Sequence, residues 1–292
     1  MKFKLCAFLS ATIFALAACG GSGGDDNITV NQPTKPVENN EQPFEMKEQI
    51  IMWKGASKFA YSQSEMIIND SPTMLAGQDS SDKTALTKIT VNGVDIPFNP
   101  VSSTINEFSY SANLGDSSVV SGILYGAKSA YARFGSLHFI NRENNSGDYV
   151  LFYQGNPTSL DDMKKLEKNA DNVTYNGHAL ALEQGAFPYG LNSEILLPNN
   201  DVGIVGKAQF TVNFKDKTLK GDVNQWYDSE NKVADIKPVN IDAKIRANTF
   251  AGTANKTGTV EGKFYGPNAA NLAGSFNDKS QKLRGVFGAV KK

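Results

Sequence analysis

The chain is poor in the residues on which most protein chemistry depends. Its 292 residues include two cysteines and two histidines, and 29 lysines and arginines nearly balance 30 acids, leaving a formal charge of −1. Both cysteines fall within the first 19 residues, so the rest of the chain has no thiol pair for a disulfide or a cysteine-bound metal and must be held by its own core. No basic stripe suggests nucleic acid. A glycine-rich phosphate loop, a His-Glu-x-x-His helix and a serine nucleophile elbow are all missing. The acidic pairs Asp25-Asp26, Asp79 with Asp82, and Asp161-Asp162 lack EF-hand spacing and a histidine companion, and read as solvated loops or a helix start. These absences argue against an enzyme and leave binding as the expected function.

The N-terminus carries the strongest positive signal. Lys2 and Lys4 precede an apolar run too short to span a bilayer, as in a secretory signal. The run ends in Leu16-Ala17-Ala18-Cys19, which resembles the bacterial lipobox, so residues 1–18 are expected to be cleaved and Cys19 to take the lipid; an ordinary Ala-Ala cleavage site is the alternative. Loss of residues 1–18 removes two lysines and moves the charge from −1 to −3. Residues 19–44, rich in Gly, Ser, Asp, Asn, Pro and Glu, have too little apolar surface to offset ordering entropy and are expected to be a flexible tether.

From residue 45 onward the patterning is that of strands. Val91-Asn92-Gly93-Val94 is a hairpin signal between arms at Lys88–Val91 and Val94–Phe98, and further strands are expected at Ser118–Tyr125, Tyr131–Asn141 and Asp148–Tyr153, giving a β-rich domain over 45–158. Ser159 is a plausible N-cap for a short connector helix within 159–171, with Asp161 and Asp162 in its first turn and Lys164, Lys165 and Lys168 later. Beyond it, Ala208, Phe210, Val212 and Phe214 share one parity and Lys207, Gln209, Thr211 and Asn213 the other, the sign of one dry and one wet face. Strand runs at Thr218–Val223, Ile236–Phe250, Val260–Tyr265, Leu272–Phe276 and Leu283–Val290 continue the series. Gly266-Pro267 should stop the ladder between two of them. Seven or eight antiparallel strands over 172–292 suit a small closed barrel, and a sandwich fits the same alternation.

Tyr175-Asn176-Gly177-His178-Ala179, Ala208–Phe214 with Leu219-Lys220-Gly221, Phe250-Ala251-Gly252, Gly262–Gly274 and Val286-Phe287-Gly288-Ala289 together resemble the eight-stranded C-terminal barrel of transferrin-binding protein B and of surface lipoproteins exported by the Slam outer-membrane translocon. Asn271 departs from the acid usual in that family before the leucine of the final hairpin. The resemblance implies a mainly β protein with an N-terminal handle domain that carries ligand specificity, followed by an antiparallel barrel serving export and folding. One handle and one barrel of this length look similar to hemophilins, through Ile89–Pro97 and Leu124-Tyr125-Gly126-Ala127. This implies a lipid-anchored protein of the outer-membrane surface that binds haem and passes it to a TonB-dependent receptor. The alternative is a handle that docks a host protein, such as a transferrin-like iron protein or a complement regulator, without haem.

The haem reading makes specific residue assignments. His138, in Phe134-Gly135-Ser136-Leu137-His138-Phe139-Ile140, would share a strand face with Phe134 and Ile140 and is the expected axial ligand of the haem iron, with Arg133 or Arg142 for the propionates. A partly buried structural histidine explains the same residue. His178, on the parity of Leu180 and Leu182, is a second candidate ligand or an ordinary strand residue. Tyr125 would stack on or ligate the haem, with Tyr110 and Tyr131 behind it, although tyrosine is also common in strands.

Overall fold

The computed structural model describes residues 41–60, 63–68, 73–75, 79, 88–91, 94–97, 107–115, 118–125, 131–141, 146–168, 172–183, 185–191, 204–227 and 233–292. The signal segment, Cys19, the tether before Glu41, the Asn92-Gly93 turn and Arg142 lie outside the described residues.

In chain order the strands are β1 Ile50–Ala60, β2 Gln63–Ile68, β3 Thr73–Leu75, β4 Lys88–Val91, β5 Val94–Pro97, β6 Glu107–Gly115, β7 Ser118–Tyr125, β8 Ala132–Asn141 and β9 Ser146–Gly155. Helix α1, Leu160–Lys168, follows. The chain continues with β10 Val173–Glu183, β11 Gly185–Leu191, β12 Ile204–Asn213, β13 Thr218–Tyr227, β14 Val239–Arg246, β15 Thr249–Ala254, β16 Thr259–Tyr265, β17 Asn271–Asp278 and β18 Leu283–Lys291.

These strands form two principal sheets. One runs β11-β2-β1-β9-β8-β7-β6, with β3 also paired to β1, and β4-β5 make a separate hairpin. The other is a closed antiparallel barrel, β10-β12-β13-β14-β15-β16-β17-β18, sealed by β18 against β10. Closure decides between the barrel and the sandwich and leaves no open edge in this sheet. The chain does not divide between the sheets at a single point: after β10, strand β11 returns to pair with β2. Its Pro188, which has no N–H to donate, lies at a register break on this outermost strand, where proline is tolerated.

The barrel is filled. Phe210, Phe214, Phe250, Phe264, Phe276, Phe287 and Trp226 are buried in its interior, with centroids 4.9 Å apart for Phe210 and Phe287 and 5.5 Å for Phe250 and Phe264. Each buried ring contributes about 1.5–3 kcal/mol. Along β12 and β14 the outward residues Lys207, Gln209, Thr211, Asn240, Asp242 and Lys244 are exposed. An apolar lumen and a polar wall invert the pattern of a membrane-spanning barrel. Helix α1 closes one end: Asp162 N–H donates to Ser159 Oγ at 3.1 Å, as an N-cap requires, and Met163 is buried in the barrel core with Leu166 packed against it.

Candidate functional site

Two strands betray a second buried surface on the barrel. Whereas β14 alternates strictly, β17 is buried at every position and β18 through Ala289. Their outward faces lie beneath the N-terminal sheet. Ile51, Phe134, Tyr149, Leu151 and Tyr153 of that sheet pack against Leu180, Leu182, Tyr265, Ala273 and Val286 of the barrel wall. Glycines on both sides let the rings approach: Phe134 lies over Gly288, the Tyr265 ring over Gly155, and the Tyr131 ring over Gly266. Gly266 has φ of 75°, a conformation that a side chain would strain. Asn271 Oδ1 accepts the Tyr131 N–H at 3.1 Å, so the amide oxygen at this position ties barrel to sheet.

A nine-residue strap, Glu41–Gln49, secures the same seam. Phe44 N–H donates to Thr249 Oγ1 at 2.8 Å, and the Phe44 ring lies 4.3 Å from the Arg246 guanidinium carbon. The N–H groups of Lys47 and Glu48 both donate to Glu261 Oε1 at 2.7 Å, and the Gln49 carbonyl accepts from Tyr153 N–H at 3.0 Å. Lys217 reaches Glu41 at 2.9 Å and Glu167 of α1 at 3.7 Å, joining strap, barrel turn and helix. Glu41 and Phe44, inside the segment whose composition suggests a free tether, are thus docked on the barrel.

Charged groups are buried along the seam. Asp79 accepts from Gln49 Nε2 and Gly155 N–H, each at 3.2 Å, and pairs with Lys263. The sequence suggests a solvated loop for Asp79; its side chain is instead only 14% exposed. Arg284 lies 3.4 Å from Glu48. Burial pushes the Glu48 carboxyl up, Arg284 opposes the shift and the nearby Glu261 adds to it. Burial also lowers the Arg133 guanidinium to about 10 and lifts the phenols of Tyr153 and Tyr265. A cleft of about 330 Å³ opens beside the strap, lined by Phe44, Met46, Gln49, Pro157, Thr249 and Lys263 among others.

The structure places the expected ligand residues in different sheets. His138 lies in β8, in register with Ser121 of β7 and Tyr149 of β9. Tyr125 ends β7, opposite Phe134 of β8 and Glu107 of β6, four residue pairs from His138, or about 13 Å along the ladder. Side-chain positions of both lie outside the described residues. His178 is half-buried on β10, opposite Lys207 and Gly288, on the parity of the seam residues Leu180 and Leu182. It thus belongs to the barrel wall near the seam, while Tyr125 and His138 share adjacent strands of the other sheet. Arg133, expected to serve a propionate, is 1% exposed and its Nη1 donates to the Ala132 carbonyl at 3.0 Å. Among the described residues no group of three or more His, Cys, Asp or Glu could hold a metal ion.

The architecture is a sheet packed by side chains and a strap onto a filled, closed eight-stranded barrel. Residues 169–291 match the family model described as the C-lobe and N-lobe beta barrels of Tf-binding protein B. The chain is 38% identical to transferrin-binding protein B of Moraxella catarrhalis over 28% of its own length and 14% of that protein's. Transferrin-binding protein B of Haemophilus influenzae strain Rd is 30% identical over 50% of this chain and 25% of the relative. The chain thus spans less than half the length of these curated relatives. The solved structure of intact Ap-TbpB, with N and C lobes, superposes at a TM-score of 0.51 and 19% identity, covering 80% of this chain and 48% of that one, and supports the fold.

Proposed function

We propose that this protein is a surface-displayed lipoprotein that binds a host iron-carrying protein of the transferrin class through its N-terminal sheet and the loops of that sheet. The observation that carries this reading is the match of residues 169–291 to the Tf-binding protein B barrel family, on a lobe whose barrel wall buries one side of a separate sheet. In this reading Cys19 carries the lipid, a Slam-type translocon exports the chain and a TonB-dependent receptor takes the iron onward. Host serum transferrin, iron-loaded and iron-free, passed over the immobilised protein should bind saturably in at least one form. Absence of binding to both forms would reject this partner.

Haem capture is a second reading, supported by the position of His138 within an antiparallel sheet, on a strand beside that of Tyr125. In it His138 supplies the axial nitrogen, Tyr125, about 13 Å farther along the ladder, meets at most the outer edge of the macrocycle, and His178 is an alternative donor. When bound, haem would bring the iron itself as cargo. Haemin titration should produce a Soret shift that His138→Ala abolishes. A shift unaltered by His138→Ala and His178→Ala together removes histidine ligation.

A further inference from the structure

The seam contains an arginine with more donors than acceptors. Arg284 is 5% exposed; its guanidinium lies 3.4 Å from a Glu48 oxygen, its Nη1 is 3.8 Å from the sulfur of Met74, and its Nε has no acceptor. A thioether is a weak acceptor, so most of this contact's hydrogen-bonding capacity is unused. Met74, on the short strand β3, is 37% exposed. Met46, Met52 and Met163 are 7%, 1% and 2% exposed. Among the methionines whose side chains are described, Met74 is thus the accessible one, and it presents its sulfur to a buried, under-satisfied cation.

We propose that Met74 is an oxidation site whose sulfoxide is received by Arg284, so that this lobe absorbs peroxide without opening its seam. The chemistry is oxygen transfer. The thioether sulfur attacks one oxygen of a peroxide, the O–O bond breaks, sulfur is oxidised by two electrons to the sulfoxide, and the peroxide is reduced to water or an alcohol. The new S–O oxygen is a much better acceptor than the sulfur it replaces, and it forms within reach of the Arg284 N–H groups. Methionine oxidation ordinarily inserts a polar group into apolar packing and loosens it. Here the neighbouring group is a guanidinium, so the usual penalty is replaced by a charge-assisted hydrogen bond. The inference does not depend on what the sheet binds.

The test treats the full chain with hydrogen peroxide and follows each methionine by fragment-ion mass spectrometry, with amide hydrogen exchange on the oxidised product. Met74 should gain one oxygen several-fold faster than Met46, Met52 and Met163, while protection in β17 and β18 is unchanged. In Arg284→Lys, oxidation of Met74 should instead lower that protection, and Met74→Gln, which places a fixed amide oxygen at the same point, should retain it with Arg284 present. Equal oxidation rates at the four methionines would overturn the proposal. Loss of seam protection in the oxidised wild-type chain would also overturn it, whether or not the arginine variant folds.

Discussion

At the residue scale, the seam rests on a few positions where one atom decides the packing. Gly266 combines a left-handed backbone with the Tyr131 ring at the place a Cβ would occupy. Gly266→Ala should therefore cost about 1–3 kcal/mol of unfolding free energy, measured by denaturant titration. Glu48 and Asp278 give opposite pH responses. The folded Glu48 carboxyl has a pKa above its ordinary 4.5, so its protonated form contributes stability that is complete below 4.5 and is lost as pH rises through the higher folded value. Glu48→Gln should remove this dependence and leave the protein as stable as wild type, or more so, at neutral pH. Asp278 is fully buried at the far end of the barrel. Its Oδ1 accepts from Ser280 N–H and Oγ, at 2.9 and 2.6 Å, and its Oδ2 from Asn255 and Gln281, at 2.7 and 2.8 Å. Burial raises this carboxyl, but the four donors outweigh it and hold the pKa below the ordinary 3.8. The stability it provides is present above 3.8 and lost as pH falls through the folded value. Asp278→Asn turns one acceptor oxygen into a donor facing donors and should cost about 1–3 kcal/mol at pH 7, with the difference from wild type shrinking in acid.

At the element scale, helix α1 and the strap do more than their sequences suggest. The helix reads as a short polar connector because only Met163 and Leu166 interrupt its charges, yet those two side chains close the end of the barrel. Met163→Ala should lower stability by about 2–5 kcal/mol, the range for buried methionine truncation, while helical content by circular dichroism changes little. The strands themselves were legible because period-2 alternation is strong wherever one face is wet, as in β12 and β14. The seam was harder to read. Leu180, Leu182 and Val286 are apolar at outward-facing positions, as is Val205 opposite Leu180, while the outward positions farther along β12 carry Lys207, Gln209 and Thr211. That contrast is the available signal that one side of the barrel is covered, but nothing local identifies the covering element. Asp79 was misread for the same reason: its partners Gln49, Gly155 and Lys263 come from distant parts of the chain. The excursion of β11 into the N-terminal sheet likewise depends on pairing with β2, more than a hundred residues earlier.

For the whole molecule, the strap, sheet and barrel form one compact unit from Glu41 to Lys292. Its C-terminal segment Gly262–Phe276, with no catalytic residue type beyond a lysine and two tyrosine or serine hydroxyls, builds two barrel strands and supplies Tyr265, Gly266 and Asn271 to the seam. The barrel thereby supports the sheet, and under the proposed function ligand recognition would fall to the sheet and its loops. The most direct measurement is a binding titration of the full chain with host serum transferrin, run in parallel with haemin. The account predicts saturable transferrin binding without a Soret shift that depends on His138. A histidine-dependent Soret shift with no transferrin binding in either iron state would contradict it.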